Sequence, residues 1–199
     1  MNTRRMLEWG GLAASVVLII FGAAALYMGF DGRSTVQDSL KQEQIFFGEA
    51  SDPAVAKHAD QWAGQQVKTG EQARAFANVM REHTLEATGG LTYAQMGRFQ
   101  SAANPSDQKG TNDEAAAAKD DSGQPIANGA RNIWVTETAL TTALNMSYMA
   151  EQLSVFGLVV GIALLLTGVG LVILAFAVFG REPEPETQSA PLSAQPLTS

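Results

Sequence analysis

"LNMSYMAEQLSVFGLVVGIALLLTGVG", residues 144–170, decides how this chain is read. It opens on Asn145, Glu151 and Gln152 and closes on an apolar run, with no proline or turn dipeptide between the two regimes. Outward from it, residues 153–180 carry no charged side chain. Neither do residues 10–30, "GGLAASVVLIIFGAAALYMGF". A helix needs roughly 20 apolar residues to cross the hydrocarbon core, and both runs suffice. Backbone polar groups in lipid must be satisfied within the segment, so helix is the form expected of both.

The average composition hides this division. The chain of 199 residues is 46% hydrophobic, like many soluble proteins, but its charge is concentrated in residues 31–152. A net charge of −7 leaves no basic footprint for nucleic acid. The lack of cysteine excludes disulfides, thiolate catalysis and cysteine zinc sites together.

Residues 1–9, "MNTRRMLEW", could introduce a signal peptide. The apolar run that follows exceeds the roughly 7–15 residues of a signal core, so an uncleaved anchor is expected. Arg4 and Arg5 precede the first run and Arg181 follows the second. On the other side stand Arg33 and Lys41, and there is no Lys or Arg between Asn132 and Gln152. Basic residues near membrane ends favour the cytoplasm. The expected topology is therefore a two-pass protein of the cell membrane with both termini cytoplasmic and residues 31–152 extracytoplasmic. Trp9 and Tyr27, near the ends of the first run, are expected as interfacial anchors. The Pro-, Glu- and Ser-rich residues 181–199 are expected to be a disordered cytoplasmic tail.

Helix punctuation recurs in the middle region. "STVQ" at Ser34, "TGEQ" at Thr69 and "LTYAQ" at Thr92 fit capping boxes, and Asp52 followed by Pro53 is a strong helix start. Gly48, Gly64 and the pair Gly89–Gly90 fit helix stops. Val55, Ala59 and Trp62 share one helical face, and Ala73, Phe76, Ala77, Met80 and Ala87 share another. Val135, Ala139, Thr142, Met146, Met149 and Leu153 alternate steps of four and three, a narrow seam suited to helix packing. The phase continues into the apolar run, which predicts one helix over residues 132–179. Residues 104–129 are polar and rich in turn formers, and a flexible loop is expected there. The fold class expected is all-α: two transmembrane helices with a small extracytoplasmic helical bundle, the second transmembrane helix continuous with a long extramembrane one.

Small residues mark the apolar runs. Gly157 and Gly161 lie one turn apart and Gly168 continues their face. Gly11, Ala14, Leu18, Gly22, Ala25 and Gly29 recur at spacings of three and four. Such faces let helices approach closely in lipid. The packing residues expected are Gly22, Ala25, Gly29, Gly157, Gly161 and Gly168, either between the chain's own helices or between protomers.

Residues able to carry chemistry are few. His58 and His83 are the only histidines. His83 lies near Glu82 and Glu86, but a carboxylate-bridged metal bundle needs Glu-x-x-His motifs on two helices, and these are absent. A partly buried structural role is expected for His83 and a solvated one for His58. No nucleophile elbow, phosphate loop or dinucleotide fingerprint occurs. No catalytic, cofactor or metal residue is expected.

The run "TALTTALNMSYMAEQLSVFGLVVGIALLLTGVGL", with "GEQARAFANVMREH" and "LTYAQ" upstream, resembles a group of small bacterial two-pass membrane proteins of unknown function. Some of these are labelled aromatic ring-opening dioxygenases. That label implies a metal-dependent enzyme, which two histidines without a ligand set do not support. The expected role is a non-catalytic accessory, scaffold or interaction subunit in the bilayer, partnered by a second copy or another membrane protein. One alternative is a ligand-sensing module, because the order helix, bundle, helix resembles the sensory half of bacterial chemoreceptors. The short polar tail departs from that pattern. The other alternative is a metal-dependent enzyme using His83 and nearby Glu residues.

Overall fold

The computed structural model describes residues 3–179, with side chains described over residues 6–177. The chain is all-helical, with no strand among the described residues. Four α-helices follow in order: α1 (Thr3–Gln42), α2 (Pro53–His58), α3 (Gly70–Ala87) and α4 (Gly129–Phe179). Single 3-10 turns occupy Asp60–Trp62 and Tyr93–Gln95. Two helices are long and apolar enough to cross a membrane, over Met6–Gln42 and Gly129–Ala177. The expected cytoplasmic tail lies outside the described residues.

The chain divides into two compact units. In the first, residues 3–23 of α1 run antiparallel to residues 161–179 of α4. Ser15, Gly22, Gly161, Gly168 and Ala175 are buried there, seven residues apart on each helix. A seven-residue repeat of contacts is the signature of helices wound around each other. A Cβ on Gly22 would stand 2.9 Å from the Gly161 carbonyl oxygen, and one on Gly168 would stand 3.0 Å from that of Ser15.

The second unit, Ala24–Val160, contains the hydrophobic core. Leu40, Phe47, Val55, Val67, Ala73, Val79 and Leu144 meet in it, with Phe47 stacked on Trp62 at 6.0 Å and edge-on to Phe76 at 5.5 Å. The capping residues set the short helices. Asp52 accepts from the Ala54 and Val55 N–H groups at 2.8 and 3.5 Å, with Pro53 at the first helical position. Thr69 and Gln72 exchange the two bonds of a capping box. Buried Trp134 fastens the start of α4, donating from Nε1 to the Leu91 carbonyl at 2.6 Å.

Three expectations meet a different outcome. First, Ser34 starts no helix, because α1 continues through it to Gln42. At Gly32, two residues before it, a Cβ would lie 2.8 Å from Ser154 Oγ, so the glycine admits a neighbouring helix. Second, Val135, Ala139, Thr142, Met146, Met149 and Leu153 do not face the core. All are exposed, Met146 by 58% and Leu153 by 70%. The buried face of α4 carries Trp134, Glu137, Leu144 and Glu151, with Thr141 and Tyr148 half-buried between them. That face has the same three-four spacing but carries two carboxylates. Third, residues 104–128 contain no helix, and their backbone is hydrogen-bonded in place. Phe99 and Thr111 exchange hydrogen bonds at 2.9 and 2.8 Å, and Ala118 donates to Gln100 at 2.8 Å. Asn104, Asp107, Asp113 and Asp120 each accept from an N–H two residues on. The polar residues that read as disorder-promoting hold local turns.

Gly29 tests the helix pairing in the second unit, since a Cβ there would stand 2.7 Å from Leu158. Gly29→Leu should destabilise the purified chain by about 1–3 kcal/mol, the usual cost of overpacking. Gly10→Ala, with nothing within 4 Å, should leave the thermal midpoint in detergent unchanged.

Candidate functional site

Glu151 is a buried carboxylate of the second unit that takes donors from two other helices. It lies two residues before the apolar run 153–180 and is buried, at 6% exposure. Its Oε1 accepts from Arg33 Nε at 3.0 Å and from Gln37 Nε2 at 3.1 Å, both on α1. Its Oε2 accepts the backbone N–H of Gly70, the first residue of α3. One carboxylate therefore joins three helices. The α3 contribution is an unsatisfied N–H at the positive end of a helix, a natural partner for an anion.

Gly70 makes this approach feasible. A Cβ there would lie 2.7 Å from the Tyr148 Cα and 2.9 Å from Glu151 Oε2. One turn along α3, the Arg74 guanidinium covers the Tyr148 ring at 4.8 Å. Burial pushes the Glu151 carboxyl up, but the Gly70 N–H, the Gln37 amide and the Arg33 guanidinium outweigh it and hold the carboxyl below its ordinary value. The site is a charged structural lock, with every oxygen of the carboxylate occupied by protein donors.

The histidines sit elsewhere and in separate pairs. His83, exposed, bonds Asp52 at 2.9 Å and so supports the cap of α2. It is not the partly buried histidine expected, because its ring reaches off the apolar face of α3 to that cap. His58 is half-buried rather than solvated and lies 3.4 Å from Glu82, which also pairs with Lys57 at 3.0 Å. The His83 hydrogen bond holds Asp52 below its ordinary value, and Lys57 and then His58 do the same for Glu82. Among the described residues, no three His, Asp or Glu side chains form a group that could hold a metal.

A cavity of about 460 Å³ opens between the end of α1, α3 and α4. Leu40, Ile45, Phe76, Met80, Leu140 and Leu144 line it, with Ser39, Glu43 and Ser147 as its polar groups. Its walls suit an apolar molecule.

Of the small residues singled out in the sequence, Gly11 has nothing within 4 Å and Ala14 is exposed, whereas several of the others lie where α1 and α4 meet within each unit. Gly22, Gly161 and Gly168 do so in the first. In the second, a Cβ on Gly157 would stand 3.7 Å from the Ala25 carbonyl and 3.9 Å from Gly29. Trp9 and Tyr27 are exposed by 69% and 72%. The sequence reading missed the joint role of Glu151, Arg33, Gln37 and Gly70. Its signal was available: Arg33 lies three residues beyond the first apolar run and Glu151 two before the second, equivalent positions if the two runs pair antiparallel.

No protein-family model, curated protein or solved structure matches the chain.

The sign of the pH dependence follows from the lowered carboxyls. A group held below its unfolded value contributes stability above that value and loses it as pH falls through the folded one. Stability should therefore be full above about pH 4.5, the ordinary glutamate value, and decline in more acid solution. Glu151→Gln should cost about 1.5–3 kcal/mol at pH 7, the range for hydrogen bonds to a charged group. It should also flatten the acid limb of a denaturant-midpoint titration in detergent.

Proposed function

We propose that this chain is a two-pass integral membrane protein acting as a non-catalytic accessory, scaffold or interaction subunit of a membrane assembly. In this reading, residues 10–30 and 153–180 cross the bilayer, both termini are cytoplasmic and residues 31–152 form an extracytoplasmic helical domain. One α4 helix then carries from that domain into the membrane, and Glu151 fastens the domain to both spanning helices at the membrane edge. The resemblance to small bacterial two-pass membrane proteins belongs with this reading.

One observation carries it. Over residues 132–152, the charged side chains of α4 are Glu137 and Glu151, and both are buried. The outward side of this water-side stretch is left with Val135, Met146, Met149 and uncharged neighbours. A helix facing only water ordinarily carries charge on its outer side. An uncharged outer face supports a partner.

A second reading, an extracytoplasmic ligand-sensing module without its own output domain, is favoured by the apolar cavity beside Phe76 and Met80. Purification of the full chain from native membranes in mild detergent separates the two. The interaction reading expects a stoichiometric assembly larger than one chain, stable without added small molecule. A strictly monomeric protein whose thermal midpoint rises with an apolar ligand would overturn it in favour of sensing.

A further inference from the structure

The seam that the sequence marks for packing is turned away from the chain's own core. On α4, Val135, Ala139, Thr142, Met146, Met149, Leu153 and Phe156 step by four and three without interruption. All are exposed, with Val135 at 54%, Met149 at 63% and Phe156 at 63%. They lie on the side of α4 opposite Trp134, Glu137, Leu144 and Glu151. All lie within the second unit. We propose that this seam is the interface with a second copy of the same chain, paired in parallel as a two-stranded coiled coil. The inference rests on the interaction reading above and names its partner.

Three features select a second copy over an unrelated protein. The spacing is a heptad with core positions at Ala139, Met146 and Leu153 and at Val135, Thr142, Met149 and Phe156. A helix of the same repeat running in the same direction fits its knobs into these holes. The positions flanking the seam are Thr136, Thr138, Ala143, Asn145, Ala150 and Gln152, none of them charged. Charges at flanking positions set partner choice in coiled coils, and like charges there would repel an identical chain. Here the seam meets its own image without a charge conflict, because Glu137 and Glu151 are both turned inward.

Orientation is the third feature. In the two-pass reading, every copy has α4 entering the bilayer in the same direction. A two-fold axis along the membrane normal then brings each seam residue against its own counterpart, which is what a closed isologous dimer requires. The 22 residues from Val135 to Phe156 span about 33 Å of helix. Their pairing would bury roughly 600 Å² from each copy, at the low end for a specific interface.

The absence of cysteine makes the test direct. Ala139→Cys, Met146→Cys and Leu153→Cys are introduced singly into the full chain and oxidised in native membranes. Asp38→Cys and Glu71→Cys, at exposed sites on α1 and α3, serve as comparisons. A disulfide needs Cα atoms within about 4.4–6.8 Å, so seam variants should give a species of twice the chain mass at least about tenfold over the comparisons. Met146→Lys with Met149→Lys, both on the outer face, should retain helical circular dichroism and run as a monomer in mild detergent. No doubled species from any seam variant, equal yield at Asp38 or Glu71, or a double-Lys variant that stays dimeric would overturn the proposal. Adducts of a different mass would also overturn it, while leaving the interaction reading in place.

Discussion

The Glu151 carboxylate is the constraint on which the second unit depends. It takes donors from Arg33 and Gln37 on α1 and from the first N–H of α3. A buried carboxylate is costly unless paired and fully hydrogen-bonded, so its partners are fixed by its presence. Arg33 is half-exposed, so the ion pair by itself is worth little. The weight falls on the N–H of Gly70, a buried helix-terminal donor that has no partner within its own helix. Gly70 must also lack a side chain, because the Tyr148 backbone occupies that space. Burial, pairing and close approach therefore specify one another at this point.

The same inward turn of charge shapes the outer surface. Glu137 and Glu151 lie two heptads apart on α4, and both are turned to the inner face. What is left outside between Val135 and Leu153 is uncharged: methionine, leucine, valine, alanine and threonine, with Asn145 and Gln152. The polar lock and the apolar seam are two consequences of one rotational setting of α4. Rotating the helix by half a turn would bury the methionines and expose both acids, but it would leave Arg33 and the Gly70 N–H without their acceptor.

Much of this was legible in the residues. Uncharged length marks the two apolar helices, and the chemistry of Asp52–Pro53 and Thr69–Gln72 marks where α2 and α3 begin. The rotational setting of α4 was not legible. Two faces of that helix share the same three-four spacing, and simple hydropathy favours the one with Met146 and Met149. Only the arrival of Arg33 and Gln37 from α1, more than a hundred residues away in sequence, makes the acidic face the inner one. The loop over residues 104–129 shows the same limit. Composition reports its small apolar content, whereas its backbone hydrogen bonds depend on register with residues 97–102.

Glu151 holds the start of α3 against α4. Amide hydrogen exchange of the full chain in detergent, resolved over Gly70 to Gln72, tests it most directly. The N–H of Gly70 should be protected in the parent chain and lose that protection selectively in Glu151→Ala, while the amides around Val79 in the same helix stay protected. Equal protection at Gly70 in both chains would show that Glu151 does not hold it.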